Sequence, residues 1–328
     1  MGRAAKPPLT IWAVSDGRAG IEAQAVGLAQ AVARLRPAEI AVKRIGWRWG
    51  LGRLPSPLNP ALSSTLRADS PVAPPWPDIW IAAGRATLPL SVRMRARSGG
   101  RTFVVQTQDP RVGLAPFDLV VPPAHDELAA PNVFPILGSP NRLTPGRLSE
   151  ELARWRDRIG PLPHPRVAVI VGGRSKAFDL PEDHAAALAD RIAAAVERAG
   201  GSLLLSFTRR TPAPARDTMR ARLARLPGII WDDQGENPYF AFLAAADAIL
   251  ITEDSTNLAT DAAATGRPVH VLPMVGPGND KFRKFHAELA RRGITRPFDG
   301  AFADWRYPPL AETDRAAAEV LRRFDARK

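Results

Sequence analysis

The chain has 328 residues, with 45 Lys plus Arg against 33 Asp plus Glu and no cysteine. Such a length allows about two domains with cores of their own, and 45% hydrophobic with 24% charged residues excludes disordered and collagen-like chains. No cysteine means no disulfide framework, no Cys-ligated zinc and no thiol nucleophile, while a net charge of +12 favours anionic partners: phosphorylated metabolites, an acidic membrane surface or nucleic acid.

The chain opens Met1-Gly2-Arg3-Ala4-Ala5-Lys6, basic but followed by a mainly apolar run of only six residues, 9–14. That run is too short for a signal-peptide core and reads as a strand. With no stretch near the roughly 18 uncharged apolar residues of a spanning helix, the expectation is a soluble, cytoplasmic protein. Ser15-Asp16-Gly17-Arg18-Ala19-Gly20 then makes a turn, and Ile21, Ala25, Leu28, Ala29, Val32 and Leu35 fall on one face of a helix. Further strands are expected at 39–45, 78–82, 102–106, 117–121 and 132–136. Between them, 46–77 is Pro-rich with little periodicity, reading as a long loop or broken helix. It begins Trp47-Arg48-Trp49-Gly50-Leu51-Gly52-Arg53-Leu54, a mix of aromatics and bases found in membrane-surface segments and equally in buried Trp with snorkelling Arg.

A helical pattern over 148–159 runs into Gly160-Pro161-Leu162-Pro163-His164-Pro165, which cannot continue a helix. The programme then restarts: strand 166–171, turn Gly172-Gly173, helix 181–199, strands 202–207, 229–231, 247–252 and 269–272, and a last helix at 311–324. Alternating strands and helices predict an α/β protein of two Rossmann-like domains facing across a cleft. The expected division is 1–145 as the first domain, 146–165 as linker, 166–305 as the second domain, and 306–328 as a helix crossing back to the first.

Four turns carry candidate chemistry. In the first, Asp16 is a candidate general base, with Gly17, Arg18, Gly20 and Gln24 beside it on the expected acceptor side; a plain capped turn is the alternative. In the second, Gly172 and Gly173 could offer backbone amides to a diphosphate, near Arg174 and Lys176. The third, Thr208-Arg209-Arg210-Thr211-Pro212, places two guanidinium groups at a strand's carboxyl end, suited to phosphate oxygens. In the fourth, Thr252-Glu253-Asp254-Ser255-Thr256-Asn257, Asp254 and Ser255 could bond a phosphate or cap the helix that follows, and Asp261 within that helix could reach a ribose hydroxyl. Asp109, in Gln106-Thr107-Gln108-Asp109-Pro110-Arg111, joins the acceptor-side set. His125 beside Asp126 is a second candidate base, and Asn237-Pro238-Tyr239 could stack on or bond a nucleobase. With five scattered His and no metal-binding motif, neither a metal nor a cofactor is expected.

Taken in order, these segments with Ala82-Ala83-Gly84-Arg85, Thr265-Gly266-Arg267-Pro268 and Lys281-Phe282-Arg283 resemble the bacterial and plant family named after a plant mitochondrial fission factor, the elongated-mitochondria protein. Its bacterial members are classed with glycosyltransferases. The resemblance implies the two-domain GT-B fold, similar in its second half to the N-acetylglucosaminyltransferase of peptidoglycan synthesis. There a Glu before an Ala-Ala-Gly-x-Pro stretch binds the donor's ribose; here Asp261, one methylene shorter, precedes Ala262-Ala263-Ala264-Thr265-Gly266-Arg267-Pro268. The implied activity is metal-independent transfer from a nucleoside-diphosphate sugar to a cell-envelope acceptor at the cytoplasmic face of an anionic inner membrane. The alternative is a catalytically silent, membrane-associated scaffold of the same fold. Nucleic acid is not an expected partner, since only the overall charge suggests it.

Overall fold

The computed structural model describes residues 7–51, 54, 58–59, 61–69, 71–231 and 233–327. The basic N-terminal residues Met1 to Lys6, and Gly52 and Arg53 of the aromatic and basic segment, lie outside them. The chain divides into two compact units, residues 1–142 with 311–328, and residues 143–310. Each is built on a six-stranded, predominantly parallel sheet.

In the first unit β1 (Leu9–Ser15), α1 (Ala19–Leu35) and β2 (Ala38–Trp47) are followed by the short β3 (Leu66–Ala68). Then come β4 (Ile79–Ala83), α2 (Leu88–Arg97), β5 (Phe103–Thr107) and β6 (Leu119–Val121), in the order β3-β2-β1-β4-β5-β6. β1, β4 and β5 are apolar on both faces because both are covered. Ile11, Ala13, Ile79, Ile81 and Val105 pack under α1, while Val14, Trp80, Ala82 and Val104 pack on the α2 side with Leu90 and Met94. That double burial is why these strands read as continuous apolar runs.

The second unit opens with α3 (Pro145–Arg154) and α4 (Arg156–Ile159), so most of the expected linker is helix with Ile159 fully buried. Then follow β7 (Arg166–Val171), α5 (Glu182–Arg198), β8 (Ser202–Phe207), α6 (Ala213–Leu223) and β9 (Gly228–Ile230). The unit continues through α7 (Tyr239–Ala245), β10 (Ala248–Thr252), α8 (Thr256–Ala263), β11 (Val269–Leu272), α9 (Asp280–Arg291) and β12 (Thr295–Pro297). Strand order is β12-β11-β10-β7-β8-β9. Val167, Val169 and Val171 meet Leu188, Ile192 and Val196 of α5 in its core. The last helix, α10 (Glu312–Ala326), belongs to the first unit. It lies along α1, with Arg34 bonded to Asp314 at 2.6 Å and Arg36 to Asp325 at 2.5 Å.

Three sequence expectations differ. Residues 132–136 are not a strand: they touch β6 and the segment after it through isolated bridges at Val133 and Ile136. The stretch 46–77, expected to be irregular, contributes the end of β2 and an antiparallel β3. Leu35, placed on the buried face of α1, is exposed because the helix ends there.

Candidate functional site

Both sheets reverse strand order beside their first strand, between β1 and β4 and between β7 and β10. In open α/β sheets ligands bind outside the carboxyl ends of the strands at such a point. The candidate residues of the second unit gather there, after the adjacent strands β10, β7 and β8.

Their centre is Asp254, 2% exposed. Its Oδ1 accepts from the Thr252 hydroxyl at 2.6 Å and its Oδ2 from the Gly173 amide at 3.1 Å. Arg210 Nη2 reaches the same Oδ2 at 2.5 Å, while the rest of its half-exposed side chain faces solvent. A buried carboxylate needs such a set of donors and a cation, or it would lose its charge. Thr252 Oγ1 in turn accepts from the Gly172 amide at 2.7 Å. Thr211, also buried, sits with its hydroxyl 2.6 Å from the Gly172 carbonyl oxygen and 3.0 Å from that of Val171.

These contacts bear on two expectations. The Gly172 and Gly173 amides donate to Thr252 and Asp254, and the Arg174 amide to the Arg210 carbonyl at 2.9 Å. The glycines answer to packing: a Cβ at Gly172 would lie 1.9 Å from Asp254 Oδ1, and one at Gly173 2.0 Å from the Arg210 carbonyl oxygen. Asp254 itself holds Arg210 and the Gly172-Gly173 turn in place. Arg174 is bidentate to Asp179 at 2.9 Å and thereby occupied. Arg209 is exposed and makes no ion pair with a described residue. Ser255 caps α8 by accepting from the Leu258 amide at 3.4 Å.

Asp261 points elsewhere on α8. Its Oδ2 accepts from the Tyr239 hydroxyl at 2.8 Å. Desolvation of this half-buried carboxyl pushes its pKa up to about 7, against the opposing pull of Tyr239 and Arg147. Burial, followed by the charge of Asp261, raises Tyr239 in turn. Arg147 of α3 stacks on Phe240, 3.9 Å from the ring centroid, and α3 packs along α7. A cavity of about 350 Å³ adjoins the turn before α7, lined by Trp155, Arg158, Ile229, Trp231 and Glu236.

In the first unit, Asp16 follows β1 and is already engaged. Its Oδ1 accepts from the Arg18 amide at 3.1 Å and its Oδ2 from Arg18 Nε at 2.8 Å. Gly17 adopts φ +79°, a left-handed conformation that glycine takes without strain. Gly20 lies in the first turn of α1. Gln24 is buried and accepts from Gln108 Nε2 at 3.0 Å, which joins α1 to the loop carrying Asp109. Asp109 itself accepts from the Arg111 amide at 2.8 Å. His125 lies in the turn after β6, and β6 is three strand positions from β1 in the sheet.

Sequence reasoning named the segments of Thr252 and Thr211 but missed their structural roles, and it missed Arg147 altogether. A hydroxyl as the last residue of an apolar strand was the available signal for Thr252; the other two depend on tertiary neighbours. Among the described residues no group of three or more His, Asp or Glu could hold a metal ion, and no helix is long and apolar enough to cross a membrane.

Comparison with known proteins bears on the fold and the family. The computed structure is similar to the UDP-GlcNAc 2-epimerase of Neisseria meningitidis bound to UDP-GlcNAc, at TM-score 0.50 and 11% identity, covering 95% of this chain and 99% of that one. It is also similar to the glycotransferase of kitacinnamycin, at TM-score 0.50 and 13% identity, covering 97% and 91%. At such identities the likeness concerns the fold, which is glycosyltransferase-like, of the GT-B type. In sequence, the mitochondrial fission protein ELM1 of Arabidopsis thaliana is 31% identical over 281 residues, 76% of this chain and 65% of that protein's length. The profile of the mitochondrial fission ELM1 family matches residues 19–324. On that span, the chain belongs to the mitochondrial fission ELM1 family.

Proposed function

We propose that the chain is a glycosyltransferase that needs no metal and moves a sugar from a nucleoside-diphosphate sugar to a cell-envelope saccharide or lipid, working in the cytoplasm. One observation carries this reading: Arg210, anchored through a buried carboxylate at the carboxyl end of the second sheet, with Arg209 and the start of α8 alongside. A guanidinium held on one side by Asp254 presents its remaining N–H groups in a fixed direction, as recognition of a diphosphate requires. Ser255 and the first amides of α8 add donors without a charge of their own. Together they would meet the negative charge that develops on the departing diphosphate.

Asp261 would accept a hydrogen bond from a ribose hydroxyl, and the cavity beside Trp155 and Trp231 would take the base. The Neisseria epimerase of similar fold was solved with UDP-GlcNAc, which supports a nucleotide sugar as the ligand class. In the first unit, Asp16 would act as base toward the acceptor hydroxyl, with Gln24 and Asp109 orienting the acceptor. It must first leave Arg18, and that engagement is the one observation favouring a catalytically silent scaffold of the same fold.

The test is thermal unfolding with UDP-, GDP-, ADP- and CMP-sugars. A donor at about 100-fold excess over its Kd adds ~2.7 kcal/mol, or about 5–10 °C for a unit of this size. Arg210→Ala should abolish the shift. No stabilisation by any nucleotide sugar would sink the transferase; stabilisation without turnover or donor hydrolysis would select the scaffold.

A further inference from the structure

The first unit carries a loop that the chemistry above leaves unused. Between Trp47, the end of β2, and Asp69 the sequence holds three basic residues and no acidic one. The loop is fastened from within. Asn59 is fully buried, its Nδ2 donating to the Leu51 carbonyl at 3.0 Å and its Oδ1 accepting from the Ala61 amide at 2.9 Å. Arg97 donates to the Ala61 carbonyl at 2.5 Å, and the Trp47 indole to that of Ala86 at 2.8 Å.

Four large apolar side chains among its described residues stand outward. Trp49 is 76% exposed, Leu58 68%, Leu62 54%, and Leu54 is exposed as well. Among the described residues, four of the seven large hydrophobic side chains that stand exposed lie in this one segment. Trp49 is held at φ +50°, a conformation uncommon for a bulky residue. Arg48 and Arg67 flank the group, and neither is ion-paired with a described residue.

We propose that this loop docks the chain on an anionic lipid bilayer. Trp49, Leu54, Leu58 and Leu62 would seat at the boundary of headgroups and acyl chains, with Arg48 and Arg67 on the phosphates. Clustered exposed apolar side chains mark an interaction site. Indole prefers the membrane interface, where one edge is wet and the other apolar. Basic residues at an anionic surface supply the second of the two signals that stable peripheral binding needs. Nucleic acid would use the arginines but has no seat for the leucines. The inference stands apart from the transferase reading, because binding is read without turnover.

The experiment is co-sedimentation of the full chain with vesicles of phosphatidylcholine alone or mixed with phosphatidylglycerol. Binding is expected to the mixed vesicles and far less to the zwitterionic ones. Trp49→Ser/Leu58→Ser/Leu62→Ser should weaken it about 100-fold, each half-seated side chain contributing roughly a factor of five. Leu152→Ser, at an exposed position of the second unit, should leave it unchanged. No vesicle binding, equal binding by the triple variant, or loop-dependent binding to duplex DNA instead would overturn the proposal. Should the triple variant fail to fold, brominated acyl chains give a second measurement. They should quench the parent's tryptophan emission more than that of Trp49→Phe, and equal quenching of the two would overturn it.

Discussion

Replacing Asp261 by Asn removes a charge that the fold disfavours while keeping an oxygen for Tyr239 to donate to. Burial raises this carboxyl from 3.8 to about 7, so the folded chain holds the proton more tightly than the unfolded chain does. The stability associated with that proton is complete below about pH 4 and is lost as pH rises towards 7. A shift of that size sets a ceiling of ~4 kcal/mol, and solvent reaching a half-buried group trims it to about 2–3 kcal/mol. The neutral Asn escapes the loss. Asp261→Asn should therefore unfold about 4–10 °C above the parent at pH 8, with about half that advantage at pH 5. Thermal unfolding followed by circular dichroism at the two pH values measures it. An advantage of equal size at both, or at neither, would refute the argument. A residue that costs the fold stability at neutral pH is a functional candidate on physical grounds.

The other predictions concern the two sheets' ends and one buried imidazole. Gly172→Ala drives a methyl into the buried Asp254 carboxylate and should cost more than ~3 kcal/mol or prevent soluble expression; Gly113→Ala, with open space around it, should leave the unfolding midpoint within a degree or so. Asp254→Asn removes the anchor of Arg210 and should cost about 1–3 kcal/mol, at the low end for breaking a buried pair because Arg210 is half exposed; calorimetric titration should show weaker nucleotide binding in parallel, and an unchanged affinity would detach Arg210 from the donor. His270 is buried among Phe298, Phe302 and Trp305, and desolvation lowers its pKa. Its neutral form carries stability that is present above pH 6.5 and lost as pH falls, so His270→Leu should flatten the decline in unfolding temperature between pH 7 and pH 5.

How much was legible beforehand varied with burial. The strands β1, β7, β8 and β10 are covered on both faces, so each appears in the sequence as an apolar run closed by a polar turn. α5 was readable from Leu188, Ile192 and Val196 recurring on one side. The edge strands β3 and β12 were not readable. Leu66-Arg67-Ala68 and Thr295-Arg296-Pro297 are too short for any period to show, and their pairing comes from the neighbouring strand. Residues 132–136 failed in the opposite direction: a plausible apolar run makes only isolated bridges because β6 itself stops after three residues.

The same division runs through the candidate site. Residue types and their places after strands are local properties, so Arg209, Arg210, Asp254 and Asp261 could be named from the chain alone, as could the α/β class. Which donors remain open to a ligand is a property of three dimensions. Thr252 and Asp254 take the Gly172 and Gly173 amides only because β10 lies beside β7, and Asp261 of α8 meets the Tyr239 hydroxyl of α7 only in the folded chain. Hydrogen bonds and desolvation depend on groups tens of residues apart in sequence meeting at a few ångströms, and no local pattern encodes that meeting.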